Sequence, residues 1–270
     1  MVKSYGSHEA QAVRLSNATA VVHGRSTEGE RIVHKFGHNA SVGSGGYEPI
    51  TDLGVYRTPQ VSGATALRIK AGGDANDSAA GTGARAVTLV GLDATGREIV
   101  DTVATAGASA SAASTKTFLR LCCAYVSASG GYATVTGGSH AAGITIENAA
   151  GTEDWAYIGV NGFPHGQTEI AAYTVPLGYT AVVYDVQIQT DANKPVDVMM
   201  FHRPNILETA APYTAMRVVS EYDGVAGAMA IEYKYPLGPF PALTDIGFMG
   251  VVDSSPAEVS VQYTVGLIKN

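Results

Sequence analysis

Two cysteines in 270 residues, and those two adjacent as Cys122 and Cys123, leave this chain without a disulfide framework. Neighbours on a strand point to opposite faces, so a bond between them would demand a distorted turn. Two lone thiols cannot fill a metal site either. They read as small buried hydrophobes, in keeping with folding in a reducing cytoplasm. Charge is scarce as well, at 15% of residues against about 25% in a typical soluble domain. The 17 basic and 24 acidic residues leave a net charge of −7 with no basic run, which argues against nucleic acid, whose recognition needs a concentrated positive footprint. No apolar run approaches the roughly 20 residues of a membrane span. The opening residues have no apolar h-region, so a secretory signal is not expected. Helical periodicity is missing too; at most one short helix is expected, near Ala210.

What fills the gap is Gly, Ala, Ser and Thr among short β-forming runs. A surface so weakly charged is poorly protected against association, and we read it as made to touch other protein. Residues 1–50, ending in "FGHNASVGSGGYEP", hold neither period for long and are expected as an extended N-terminal arm. From Thr65 the pattern is β: "TALRIK", "ARAVTLVGL", "REIVDTV", "KTFLRLCCAYVSAS", "YATVT", "GITIE" and "WAYIGV" follow one another between Gly-containing turns. "ATAGASASAAST" (104–115) is expected as an exposed loop. "NGFPHGQ" (161–167) marks a boundary. Beyond it, "TAVVYDVQIQT" places Val182, Tyr184, Val186 and Ile188 opposite Val183, Asp185, Gln187 and Gln189, and "EVSVQYTVGL" alternates likewise. "YPLGPFPALTDI" carries three prolines and belongs to an edge or a connection. The fold expected is all-β, with an arm (1–50) and two β-sandwich or jelly-roll-like domains (51–163 and 164–270).

Chemistry is thin. "GTGARAVTLVGLDATGREIV" (81–100) opens like a phosphate loop, yet a β-rich segment follows the glycines where such a loop needs a helix and a Lys-Ser/Thr pair. It is a hairpin. His34 and His38 stand four apart, metal-ligand spacing on a helix, but Gly37 between them argues against a helix and no carboxylate lies near in sequence. "DANDS" (74–78) lacks the Gly and Glu of a calcium loop and reads as Asx-turn chemistry. Glu153 and Asp154 beside Trp155 suggest a sugar site, but adjacent carboxylates on a strand diverge. No nucleophile elbow is present. Fourteen tyrosines against six phenylalanines suit an interface as well as a core. No catalytic residue, cofactor or metal ligand is expected, and the chain does not read as an enzyme.

"FGHNASVG", "AAGTGARAVTLVGLDATGREI" with "TFLRLCCAYV", and "GQTEIAAYTVPLGYTAVVYDVQIQ" together resemble a family of tailed-bacteriophage virion structural proteins known largely from marine and environmental phages. The likeness runs over about residues 36–268, and its motifs are structural. It implies a capsid decoration or cement protein of the virion, assembled in the host cytoplasm. Its partners would be the major capsid protein and further copies of itself, as a trimer by preference. Phe36, His38, Tyr47 and Tyr56 would lie at the interface. A tail or tail-fibre component is the alternative. A virion carbohydrate-binding module that stacks sugar on Trp155 is the third reading.

Overall fold

The computed structural model describes residues 30–54, 56–58, 62–132, 138–160 and 165–270. Among them there is no α-helix, only a 3-10 turn at Asp52–Gly54. In chain order the strands are β1 (Arg31–Val42), β2 (Glu48–Pro49), β3 (Thr65–Ile69), β4 (Ala84–Leu92), β5 (Glu98–Ala104), β6 (Thr117–Phe118), β7 (Arg120–Ser129) and β8 (Ile144–Asn148). They continue as β9 (Asp154–Ile158), β10 (Ala172–Thr174), β11 (Tyr179–Thr190), β12 (Val196–Arg203), β13 (Arg217–Val225), β14 (Ala228–Phe240), β15 (Asp245–Val252) and β16 (Ala257–Lys269). The fold is all-β and its pairings are antiparallel.

Two hydrophobic clusters organise these strands, and each is filled from two sheets. The first lies between the sheet β1-β16-β11-β14 and the sheet β10-β15-β12-β13. Val183, Val186 and Ile188 of β11 and Val259–Leu267 of β16 meet Val198 and Met200 of β12 and Ile246 and Phe248 of β15. The rings of Phe248 and Tyr263 touch across the gap, centroids 5.0 Å apart. The second cluster lies between β6-β3-β8-β9 and β5-β4-β7, with Leu67, Ile146, Trp155 and Ile158 from one sheet and Val87, Leu89 and Val103 from the other.

Several sequence expectations change. Residues 31–50 do not form an arm: β1 is an edge strand of the first cluster's sheet, in register with β16 from Arg31↔Leu267 to Asn39↔Val259. Its pattern was hard to see because Gly37, Asn39 and Lys35 occupy buried positions. The first 29 residues of the expected arm, and most of the expected strand "YATVT", lie outside the described residues. On β16 the alternation holds, with Val259, Val261, Tyr263, Val265 and Leu267 all buried. On β11 it slips. A bulge between Val183 and Asp185 shifts the phase, so Ala181 and Val183 are buried above it and Val186 and Ile188 below. An extra residue on one strand moves everything beyond it to the other face, which a period-2 reading cannot foresee. The expected helix near Ala210 is a loop, held by Arg203 through Glu208 Oε2 (3.0 Å) and the Thr214 carbonyl (3.0 Å).

The small-residue stretch 104–115 is not simply exposed. It runs beside β3, where the backbone N–H groups of Ser111 and Ser114 donate to the carbonyls of Ile69 and Leu67. Their buried hydroxyls accept the N–H of those same two residues. Small side chains let the loop lie that close. The "DATG" hairpin forms as expected: Asp93 Oδ1 accepts the N–H of Thr95 and Arg97, and Gly96 takes the left-handed φ of 81° the turn needs.

The two clusters are joined at Asp245. This β15 carboxylate is 0% exposed and accepts from Arg120 of β7 (Nη2, 3.0 Å), Tyr56 (3.1 Å), Thr58 (2.6 Å) and Thr174 of β10 (2.6 Å). Losing one partner of such a pair costs about 3–5 kcal/mol, because the other stays buried and uncompensated. Asp245→Ala is therefore expected to lower stability by about that much in urea unfolding. The double variant Arg120→Met, Asp245→Leu should recover part of the loss, the remainder reflecting the Tyr56, Thr58 and Thr174 hydroxyls left without their acceptor. Simple additivity of the two single changes would show that the pair does not act as a unit.

Candidate functional site

Titratable groups converge at one place, a cleft of about 260 Å³ lined by Phe36, His38, Asp52, Gly159, His165, Gln167, Glu169, Glu258 and Ser260. Four separate segments build it. β1 carries His38, the 3-10 turn carries Asp52, and the stretch ahead of β10 carries His165 and Glu169. Glu258 comes from β16, two residues from Ser260, the register partner of His38.

Backbone contacts bring these segments together. Glu169 offers its carbonyl to the N–H of Asp52 (3.2 Å) and of His38 (3.5 Å), and the N–H of Ala171 donates to the Ile50 carbonyl. Gly37 makes the approach possible: a Cβ there would stand 2.0 Å from the Ala171 nitrogen. Asn39 completes the corner, donating through Nδ2 to the Pro49 carbonyl and accepting the Ser41 N–H at Oδ1. The "FGHN" motif thus has a local reason at three of its four positions.

His38 Nδ1 faces Glu169 Oε2 at 3.2 Å and Asp52 Oδ1 at 3.7 Å, while Nε2 lies 3.0 Å from Glu258 Oε1. The other Glu169 oxygen is 2.9 Å from His165 Nδ1. Asp52 and then Glu169, with Glu258 adding to them, stabilise the imidazolium against the opposing effect of burial and raise the His38 pKa to about 10. Burial pushes the Glu169 carboxyl upward, but His38 and His165 outweigh it and hold it below the usual value. Asp52 moves the other way, raised chiefly by burial. One ligand atom each from His38, Asp52 and Glu169 fall within 4.8 Å of one another.

Of the four residues expected at an interface, Tyr47 is the exposed one, at 38%. Phe36 is half-buried between this cleft and a larger one of about 540 Å³ beside β7, which Lys35, Cys123, Tyr125 and Tyr173 also line. Tyr56 turns inward to Asp245. His34 and His38 are not brought together: four residues of strand span about 13 Å. The site forms instead from carboxylates 14, 131 and 220 residues away, a separation no local spacing reveals. Trp155 is 4% exposed, within the second cluster, with the Arg57 guanidinium 5.8 Å from its ring, so it offers no open face to a sugar. Glu153 pairs with Arg57 and Asp154 with Lys70, diverging as expected. In "DANDS", Asp74 makes the Asx turn to the Asn76 N–H. Asp77 is spent on backbone, accepting the N–H of Ala84, Ala141 and Ala142. Cys122 is buried, its thiol pushed up to about 12 by burial.

A histidine that binds its proton more tightly when folded contributes stability that is complete below its unfolded pKa and lost as pH rises through its folded one. In metal-free protein, the stability difference between wild type and His38→Gln should be largest near pH 6 and shrink between about pH 6.5 and about 10. Urea midpoints at pH 6, 8 and 10 check this. A difference independent of pH would show that the imidazolium is not held by these carboxylates.

No protein-family model and no curated protein matches the chain. Among solved structures, the infectious bursal disease virus Gt strain aligns over 89% of this chain and 77% of the other, at 9% identity and a TM-score of 0.20. The VP2 subviral particle of the same virus aligns over 94% and 82%, at 7% identity and a TM-score of 0.21. Scores this low do not establish a common fold.

Proposed function

We propose that this chain is a non-catalytic structural component of a virion, a capsid decoration protein that binds the major capsid protein as a homo-oligomer, a trimer by preference. The two sheet pairs would serve as two β-sandwich units. The resemblance of its motifs to tailed-phage structural proteins suggests the setting. The observation that carries the reading is a pair of edge strands.

β13 closes one sheet of the first cluster and β14 the other, and the turn at Ala226–Gly227 joins them. Among the described residues each pairs on one side only: β13 with β12, and β14 with β11. Tyr222 and Tyr233 hydrogen-bond through their hydroxyls between the two. The outward residues set apolar area, notably Val218 at 53% and Tyr235 at 64% exposure, among the charges of Arg217, Glu221, Asp223, Glu232 and Lys234. A long unpaired edge bearing exposed apolar groups is what soluble monomers avoid, unless a partner covers it. A ligand that binds only the assembled shell stabilises it by mass action, and many repeated contacts let each be weak.

Quantifying this protein in purified particles tests the reading. Hundreds of copies per virion support a shell position, whereas six, twelve or a small multiple of three would place it in the tail. Val218→Glu with Tyr235→Glu should abolish self-association in analytical ultracentrifugation and leave the melting temperature nearly unchanged, since both side chains are exposed. A variant that associates as before removes this edge from the interface.

A further inference from the structure

We propose that His38, Asp52 and Glu169 form a site for a borderline divalent cation of the zinc class, which staples β1, the 3-10 turn and the segment preceding β10. The argument is geometric. Around a tetrahedral ion with bonds of about 2.0–2.1 Å, neighbouring ligand atoms stand about 3.3 Å apart. From His38 Nδ1, Glu169 Oε2 lies at 3.2 Å and Asp52 Oδ1 at 3.7 Å. Two of the three donor separations therefore sit close to the spacing an ion would set, and the third, between the two carboxylates, is within 4.8 Å.

A second observation is independent of that spacing. Histidine ligands characteristically donate their other ring N–H to a carboxylate, and ligating carboxylates are themselves hydrogen-bonded. Here His38 Nε2 meets Glu258 Oε1 at 3.0 Å and the remaining oxygen of Glu169 meets His165 Nδ1 at 2.9 Å. Two of the three ligands thus already have the outer partners that fix tautomer and orientation. The backbone bonds from His38 and Asp52 to the Glu169 carbonyl hold the segments in place without the ion.

The donor set selects the metal. One imidazole nitrogen with two carboxylate oxygens suits zinc, whereas calcium and magnesium favour all-oxygen shells and soft copper(I) favours sulfur. Gly159, Gln167 and Ser260 also line the cleft, and water would complete four-coordination. Binding requires His38 to give up the Nδ1 proton, so the ion and the proton compete for one position.

Isothermal titration of the full-length, tag-free, chelator-treated protein with zinc chloride at pH 7.5 tests this. One ion per chain is expected, with calcium and magnesium at least tenfold weaker. His38→Gln and Asp52→Asn should each weaken zinc at least tenfold, Glu258→Gln about tenfold, and His34→Gln not at all. Circular dichroism melts verify that the variants fold. If they do not, cobalt(II) added to wild type decides: a visible d–d band of four- or five-coordinate intensity, removed by one equivalent of zinc, supports the site. No zinc binding, no such band, or equal affinity in His38→Gln and His34→Gln would overturn it.

Discussion

Asp245 and Arg120 meet where the two hydrophobic clusters abut, and much of the architecture is arranged around keeping that charge satisfied. Arg120 sits at the start of β7, between Leu119 of the first cluster and Leu121 of the second. Asp245 opens β15. An ion pair so buried gains little net energy over apolar packing, because desolvating both groups offsets their attraction. What it imposes is geometry: the guanidinium and three hydroxyl donors must all arrive together. Tyr56 and Thr58 come from the segment after the 3-10 turn, and Thr174 from β10, so one carboxylate sets the placement of three connections. Burial and the adjacent Asp245 charge hold the Tyr56 hydroxyl well above its usual pKa, in its donating form.

The same connections build the His38 cleft. Asp52 precedes Tyr56 by four residues and Glu169 precedes Thr174 by five. The hub that locks the clusters together therefore lies a few residues from the carboxylates that surround His38. β1 supplies the third side. It is held to β16 by a long ladder and to β7 by Lys35, whose buried ammonium donates to the Cys122 carbonyl at 2.7 Å. Burial lowers the pKa of that lysine. A cation bound at His38 would tie together segments that the backbone has already aligned.

The edge strands stand at the other limit of order. β13 and β14 carry few buried residues, and among the described residues one backbone edge of each is unpaired. Pro236 and Pro239 limit how far a neighbour could continue the ladder along β14, since proline has no N–H to give. Val218 and Tyr235 nonetheless leave apolar area on this side. The sheets that enclose the clusters bury one face each, and the edge outside them buries far less.

The sequence by itself determined the class of the fold. Val259, Val261, Tyr263, Val265 and Leu267 at alternate positions of β16, Gly and Asx turns such as "DATG", and the lack of a helical period point to strands joined by tight turns, because these signals act between residues a few positions apart. The hairpin of β4 and β5, the divergence of Glu153 and Asp154 and the Asx turn at Asp74 were legible for the same reason. Tertiary structure alone decided which strands share a sheet, that β1 belongs with the C-terminal strands, and where the phase of β11 slips. It alone placed Asp52, Glu169 and Glu258 around His38. Those relations join residues 14 to more than 200 positions apart, and chain separation carries no trace of spatial distance once a sheet has folded back on itself. Gly37 is where the two kinds of information meet: a glycine that argued against a helix on sequence proves to be the gap through which Ala171 closes the site.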